Sequence, residues 1–127
     1  MKAHLVFILF IGVSLSLGCS RHHSYPLFME QAQSCVETAP DSALHYLSLL
    51  KDNIRREPEE TQMYYHLLTI KAKDKLYTRH TSDSLINLIV KFYNKYGDKN
   101  KQIEAYYYQG SVYRDMNDAP SALDAFS

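Results

Sequence analysis

The sequence contains no tryptophan, only two cysteines, four glycines and four prolines in 127 residues, and its 14 basic side chains are matched by 14 acidic ones. Each shortage removes a class of protein. Two cysteines cannot build the disulfide framework that holds small secreted domains together. So little glycine and proline argues against a loop-rich, all-β or low-complexity chain. A formal net charge of zero gives no broad footprint for nucleic acid, which needs a basic excess gathered on one face. The length allows one small domain. What survives is a small helical protein, and what it has in quantity is tyrosine, 11 residues.

The composition changes along the chain. Lys2 precedes the uncharged run Leu5 to Leu17, LVFILFIGVSLSL, and Leu15-Ser16-Leu17-Gly18-Cys19 closes it. Thirteen apolar residues are too few to cross a bilayer core, which takes about 20, but they suit the centre of an export signal. Gly18 is small enough to enter a peptidase site, and the Cys19 thiol is a nucleophile able to take a lipid. The segment resembles the lipobox of bacterial lipoproteins, with Ser16 where the commonest form has Leu. That resemblance implies a signal peptide over 1–18, cleavage after Gly18 and acylation of Cys19, palmitate included. Several chains at about 0.8 kcal/mol per buried CH₂ anchor a protein stably. The alternative is a plain secretory signal with an incidental cysteine. The implied location is the bacterial cell envelope, facing the periplasm, with surface exposure left open.

Loss of residues 1–18 removes Lys2 and leaves 13 basic against 14 acidic residues. Residues 19–25 form a polar tether. His22-His23 within it has no third ligand nearby and reads as solvated linker, so neither a metal nor a cofactor is expected.

From Leu27 onward the apolar spacing is helical, with turn signals at regular intervals. A first helix covers Leu27 to about Glu37, and Pro40 ends it by disfavouring helical geometry in the residue before it. Asp41 is placed to cap a second helix, whose stripe is Ala43, Leu44, Leu47, Leu50 and Ile54. Glu57-Pro58-Glu59-Glu60 starts a third, running to about Tyr77. A fourth follows Thr81-Ser82-Asp83-Ser84; it is apolar on more than one side, as an inner helix of a stack is. Gly97 suits its left-handed terminus. A fifth spans Lys99 to Met116, and a sixth begins around Pro120. The expectation is six helices in three hairpins.

In the last pair, Tyr106, Gly110 and Tyr113 are followed by Ala122 and Phe126. Glycine and alanine let two helices approach closely, and the aromatics fill the space on either side. These offsets resemble the tetratricopeptide repeat. Tyr65, Leu68 and Ala72 match the first-helix positions of an earlier unit, and Leu85 and Ile89 its second-helix positions. Ala43 to Leu85 is 42 residues and Leu85 to Ala122 is 37, longer than the usual repeat of about 34, so the earlier units are divergent. The resemblance implies an all-α fold of antiparallel hairpins, about 26–56, 57–97 and 98–127, stacked as a right-handed solenoid. An unrelated helical bundle with the same periodicity is the alternative. Ser127 falls where the last stripe should continue, so the expectation is a piece of a longer protein rather than a short one that completes its core by oligomerising.

Catalytic chemistry has little support. Cys35 and His45 form a conceivable thiol–imidazole pair, but a free cysteine is more often a small buried hydrophobe. No His-Glu-x-x-His, glycine-rich phosphate loop or Cys-x-x-Cys occurs. Lys71, Lys73, Lys75, Arg79 and His80 spread around a helix as a solvated surface. No enzyme and no nucleic-acid partner is expected. Most tyrosines fall on packing stripes, with Tyr64, Tyr107 and Tyr108 unclaimed by them.

In a tetratricopeptide stack the first helix of each pair lines the concave face. By position this implies partner contacts at Tyr107, Ser111 and Arg114, with His66, Ile70 and Lys73 in the unit before. Aromatic and cationic side chains suit an extended peptide or its carboxylate. The leading expectation is therefore a lipid-anchored scaffold for protein–protein interaction, in the manner of the sensor or docking segment of a longer regulatory or envelope-assembly protein. A carbohydrate- or nutrient-binding outer-membrane lipoprotein is the second reading, and a hydrolase with its catalytic groups elsewhere the third. Replacing the lipid site, Cys19→Ala, is expected to move the protein out of the salt-washed membrane fraction. Retention there would overturn the anchor.

Overall fold

The structure, a computed structural model, describes residues 24–127. Gly18, Cys19 and His22-His23, and with them the cleavage, lipidation and linker readings, lie outside the described residues. Among the described residues there are six α-helices and no strand: α1 (Leu27–Cys35), α2 (Pro40–Ser48), α3 (Glu59–Lys75), α4 (Ser84–Lys95), α5 (Lys99–Asp115) and α6 (Ala119–Phe126). A 3₁₀ turn, Ile54–Arg56, lies between α2 and α3. The pairs α1–α2, α3–α4 and α5–α6 fall within 26–56, 57–97 and 98–127. No helix among the described residues is long and apolar enough to cross a membrane.

The helix ends follow from local chemistry. Asp98 accepts from the Lys101 N–H at 3.1 Å and Asp118 from the Ser121 N–H at 3.2 Å, each satisfying a donor that the first turn leaves unpaired. Asp41 does not cap α2 as the sequence suggested: Ala39 holds that position, Pro40 opens the helix and Asp41 lies in its first turn. Helix α2 also stops at Ser48, so Leu50 and Ile54 reach the core from turns rather than from a continuous stripe. Gly97 follows the α4 terminus at φ 30°, the conformation expected of it.

Helices α3 and α5 end alike. Thr78 N–H donates to the Lys73 carbonyl and Tyr77 N–H to that of Asp74, while Asp118 and Asn117 do the same to Tyr113 and Arg114. Both ends are Schellman motifs, with Tyr77 at φ 57° and Asn117 at φ 60° in the left-handed position. Asparagine tolerates that geometry; tyrosine has no such excuse.

Packing follows chain order. Each helix contacts its successor, and α3 additionally contacts α1 and α5. Helix α3 is accordingly buried over most of its circumference, through Thr61, Met63, Tyr64, Tyr65, Leu67, Leu68, Ile70 and Ala72. It, not α4, is the inner helix. Helix α4 touches only α3 and α5, burying Ile86, Ile89, Val90, Phe92 and Tyr93 while Leu85, Leu88 and Tyr96 stay exposed. Leu85 and Phe126 are the sequence-assigned packing positions that the fold leaves exposed; α2 is short and makes no contact with α4 above Leu85. Tyr65, Leu68, Ala72, Ile89, Gly110 and Ala122 are buried.

The α4–α5 interface carries a polar register. Asn87 Oδ1 accepts from Gln109 at 2.8 Å and from the Tyr113 hydroxyl at 3.2 Å. One heptad later, Asn94 Oδ1 accepts from Gln102 and from Tyr106, both at 2.9 Å. At the last contact a Cβ on Gly110 would overlap the Phe126 ring, so glycine permits α6 to lie close to α5. Phe126 itself remains 47 % exposed. In urea titrations, Leu68→Ala, which truncates a side chain only 1 % exposed, is expected to cost about 2–5 kcal/mol. Leu85→Ala is expected to cost no more than about 1 kcal/mol.

Candidate functional site

Three surface features are built by these helices. The first is a groove of about 470 Å³ where α1, α3 and α5 come together, lined by Gln33, Glu37, Tyr64, Leu68, Lys71, Lys101 and Glu104 among others. Lys71 is central to it. Its Nζ lies 2.7 Å from Glu37 Oε1 and 2.5 Å from Glu104 Oε1, so one ammonium joins the end of α1 to α3 and α5. Burial works against that charge, but the hydrogen bonds to Glu104 and Glu37 outweigh it and raise the lysine's pKa. Lys75 adds a second contact to Glu37 at 2.6 Å. Hydrogen bonds from Lys71 and Lys75 hold the Glu37 carboxyl down at about 2.

Lys101, at the other end of the groove, sits 4.6 Å from the centre of the Tyr64 ring and 5.6 Å from that of Tyr25. It also pairs with Asp98 at 3.0 Å, and that hydrogen bond lowers the Asp98 carboxyl. Burial pushes the Tyr64 hydroxyl up to about 12. The tyrosines left unclaimed by the sequence therefore divide. Tyr64 and Tyr108 are buried, 4 % and 5 % exposed, and Tyr107 is 54 % exposed.

The second feature lies where α3 and α5 end. Arg114 Nη2 is 3.1 Å from Asp74 Oδ1 and 3.0 Å from Asp115 Oδ1. Arg79 donates to the Asp115 carbonyl at 3.0 Å, and the His80 backbone N–H donates to Asp115 Oδ2 at 3.0 Å. These contacts fold the segment after α3 back against α5. Burial raises the Asp115 carboxyl, but the hydrogen bonds from His80 and Arg114 outweigh it and the net shift is downward. A cavity of about 620 Å³ opens beside the group, lined by Asp74, Tyr77, Thr78, Arg79, Arg114, Asp115 and Asn117.

The third is apolar and lies across α5 and α6. Ile103, Tyr107, Leu123 and Phe126 are 61 %, 54 %, 71 % and 47 % exposed. Cavities of about 420 and 450 Å³ lie on either side of Phe126, and its ring centre is 5.7 Å from that of Tyr107.

The residues assigned to a concave face do not form one surface. Ile70 is 7 % exposed and Ser111 is 0 % exposed, so neither is available to a partner. His66 and Lys73 line a different groove, with Lys51, Arg55 and Leu85 on the α2 and α4 side, and burial lowers the His66 pKa. Arg114 is exposed but already paired with two carboxylates. Tyr107 and Lys73 are both free of such pairing and open, but they lie on different grooves. The residues that do face one another across α1, α3 and α5 are Glu37, Lys71 and Glu104. Positional analogy passed over them because the rotation of each helix is set by its own packing. The Cys35 thiol is half-buried and donates to the Ala32 carbonyl at 3.7 Å, the bond of an ordinary helical cysteine.

Compared with known proteins, the chain matches no family model, no curated protein and no solved structure.

The lowered Glu37 carboxyl has a definite sign in stability. Its contribution is present above the ordinary carboxylate range near 4.5 and is lost as pH falls toward 2. The melting temperature of the protein is expected to drop across that window. In Glu37→Gln it should start lower at neutral pH and drop less steeply.

Proposed function

We propose that the protein is a lipid-anchored, helical-repeat scaffold of the bacterial envelope that binds another polypeptide, with Cys19 as its anchor. Three hairpins in chain order support the repeat reading. Helix α3 touches the first helices on either side of it, α1 and α5, and α2 and α4 each pack on the first helix that follows, as in a right-handed tetratricopeptide-like solenoid. The spacing of Tyr106, Gly110, Tyr113, Ala122 and Phe126 supports it independently.

One observation carries the binding reading: the open apolar face of Ile103, Tyr107, Leu123 and Phe126. Large side chains left exposed together mark interaction sites more often than isolated ones do. The groove between α1, α3 and α5 is a poorer docking place, because Lys71, Lys75 and Lys101 already spend their charges on Glu37, Glu104 and Asp98. The occupant that fits this face is an amphipathic helix. Helix α2 is covered by α3 and α4 by α5, and a helix laid on α6 repeats the same contact, with apolar side chains entering the two cavities beside Phe126.

Helical peptides selected against the full-length protein test this. Ile103→Ser combined with Tyr107→Ala is expected to weaken their binding by about tenfold or more, with helical content unchanged by circular dichroism. Undiminished binding would return this face to ordinary surface.

A further inference from the structure

The group at the ends of α3 and α5 has a member whose side chain makes no hydrogen bond. The His80 side chain is 8 % exposed, and its Nε2 has no hydrogen-bond partner. That nitrogen lies 3.5 Å from Asp74 Oδ1 and 4.0 Å from Asp115 Oδ2, and the three donor atoms all lie within 4.8 Å of one another. Both carboxylates are themselves largely buried, at 15 % and 16 % exposed. A buried imidazole nitrogen this close to two carboxylate oxygens, yet hydrogen-bonded to neither, leaves room for a shared atom among the three. Tetrahedral bonds of about 2.0–2.2 Å place neighbouring ligand atoms roughly 3.4 Å apart. The His80–Asp74 separation already fits, and the His80–Asp115 separation of 4.0 Å has to close by about half an ångström.

We propose that Asp74, His80 and Asp115 form a binding site for a divalent transition-metal ion of the zinc class, with the remaining coordination position open to the adjoining cavity. The donor set selects the class. An imidazole with two carboxylates suits zinc and its neighbours, whereas magnesium and calcium take oxygen ligands throughout. The backbone supplies part of the attraction. Asp74 lies in the last turn of α3 and Asp115 ends α5, so two negative helix termini add to two carboxylates. Arg79 opposes this, but its guanidinium is held on the Asp115 carbonyl.

Arg114 is the resident cation of the metal-free state, bonded to Asp74 Oδ1 and Asp115 Oδ1. Its side chain is 57 % exposed, so it can swing out when a metal ion takes Asp74 Oδ1. The guanidinium and the metal therefore compete.

Calorimetric titration of the metal-free full-length protein with Zn²⁺ is expected to show one site per chain, with Co²⁺ at the same site giving visible d–d absorption and Mg²⁺ failing to displace it. Asp115→Asn, which keeps an oxygen for the His80 N–H, and His80→Ala should each weaken Zn²⁺ binding at least about tenfold. Arg114→Ala should tighten it several-fold. A His22→Ala/His23→Ala variant should bind as the wild type does, and circular dichroism reports whether each variant is folded. Absence of Zn²⁺ binding, a preference for Mg²⁺, or binding that survives His80→Ala and Asp115→Asn but disappears with the histidine pair would each overturn the proposal. So would weaker binding in folded Arg114→Ala.

Discussion

Everything in this fold leans on α3. Among the described residues it is the one helix in contact with first helices on both sides, with the second helix before it and with the one after it. A helix of 17 residues enclosed on so many sides cannot present a simple apolar stripe and a polar back. It must bury side chains around its circumference, and the polar groups it keeps must find partners where they lie. Lys71 meets that demand. Its ammonium is taken from water only because two carboxylates from adjacent helices receive it. Hydrophobic burial supplies the bulk of the association, and the Glu37–Lys71–Glu104 contact gives it directional specificity. An alternative rotation of α3 would leave a buried, unpaired charge.

The same arrangement explains why chemistry collects at one end of the molecule. Helices α3 and α5 run beside each other and end in the same Schellman turn, so their last residues meet. Asp74 and Arg114 occupy equivalent places in the two turns, and the chain leaving α3 is drawn across by Arg79 and His80 onto Asp115. Tyr77 accepts an unfavourable left-handed backbone at the centre of this crossing while its side chain is 96 % exposed. Strain of that kind persists where surrounding contacts over-determine the backbone, and here the two turn hydrogen bonds and the His80–Asp115 bond do so.

Much of the architecture was legible in the residues themselves. Apolar spacing located six helices, and proline, glycine and aspartate marked most of their ends within a residue or two. What the spacing missed was the identity of the inner helix. Tyr64 and Tyr65, Met63 and Thr61 are buried without forming a clean stripe, whereas α4, dense in Leu and Ile, is one-sided. Periodicity reports how many faces a helix can bury, not how many neighbours arrive. The surface sites were harder still. Ser111 and Ile70 fall on a plausible outward register but are covered, because a rotation of a few tens of degrees decides exposure. The cluster of Asp74, His80 and Asp115 spans 41 positions in sequence with no motif spacing, and only the meeting of two helix ends brings it together.

The paired amides of α4 have a mechanical meaning. Asn87 and Asn94 stand one heptad apart, and their partners Gln109 with Tyr113 and Gln102 with Tyr106 repeat at the same interval. Sliding α5 along α4 by a single turn would break all four hydrogen bonds in their present pairing. Shear between these two helices is therefore opposed at two levels along their length. Of the two longer irregular stretches, 49–58 and 76–83, which lie on either side of α3, the second is tied to α5 by Arg79 and His80, so the first is the looser joint.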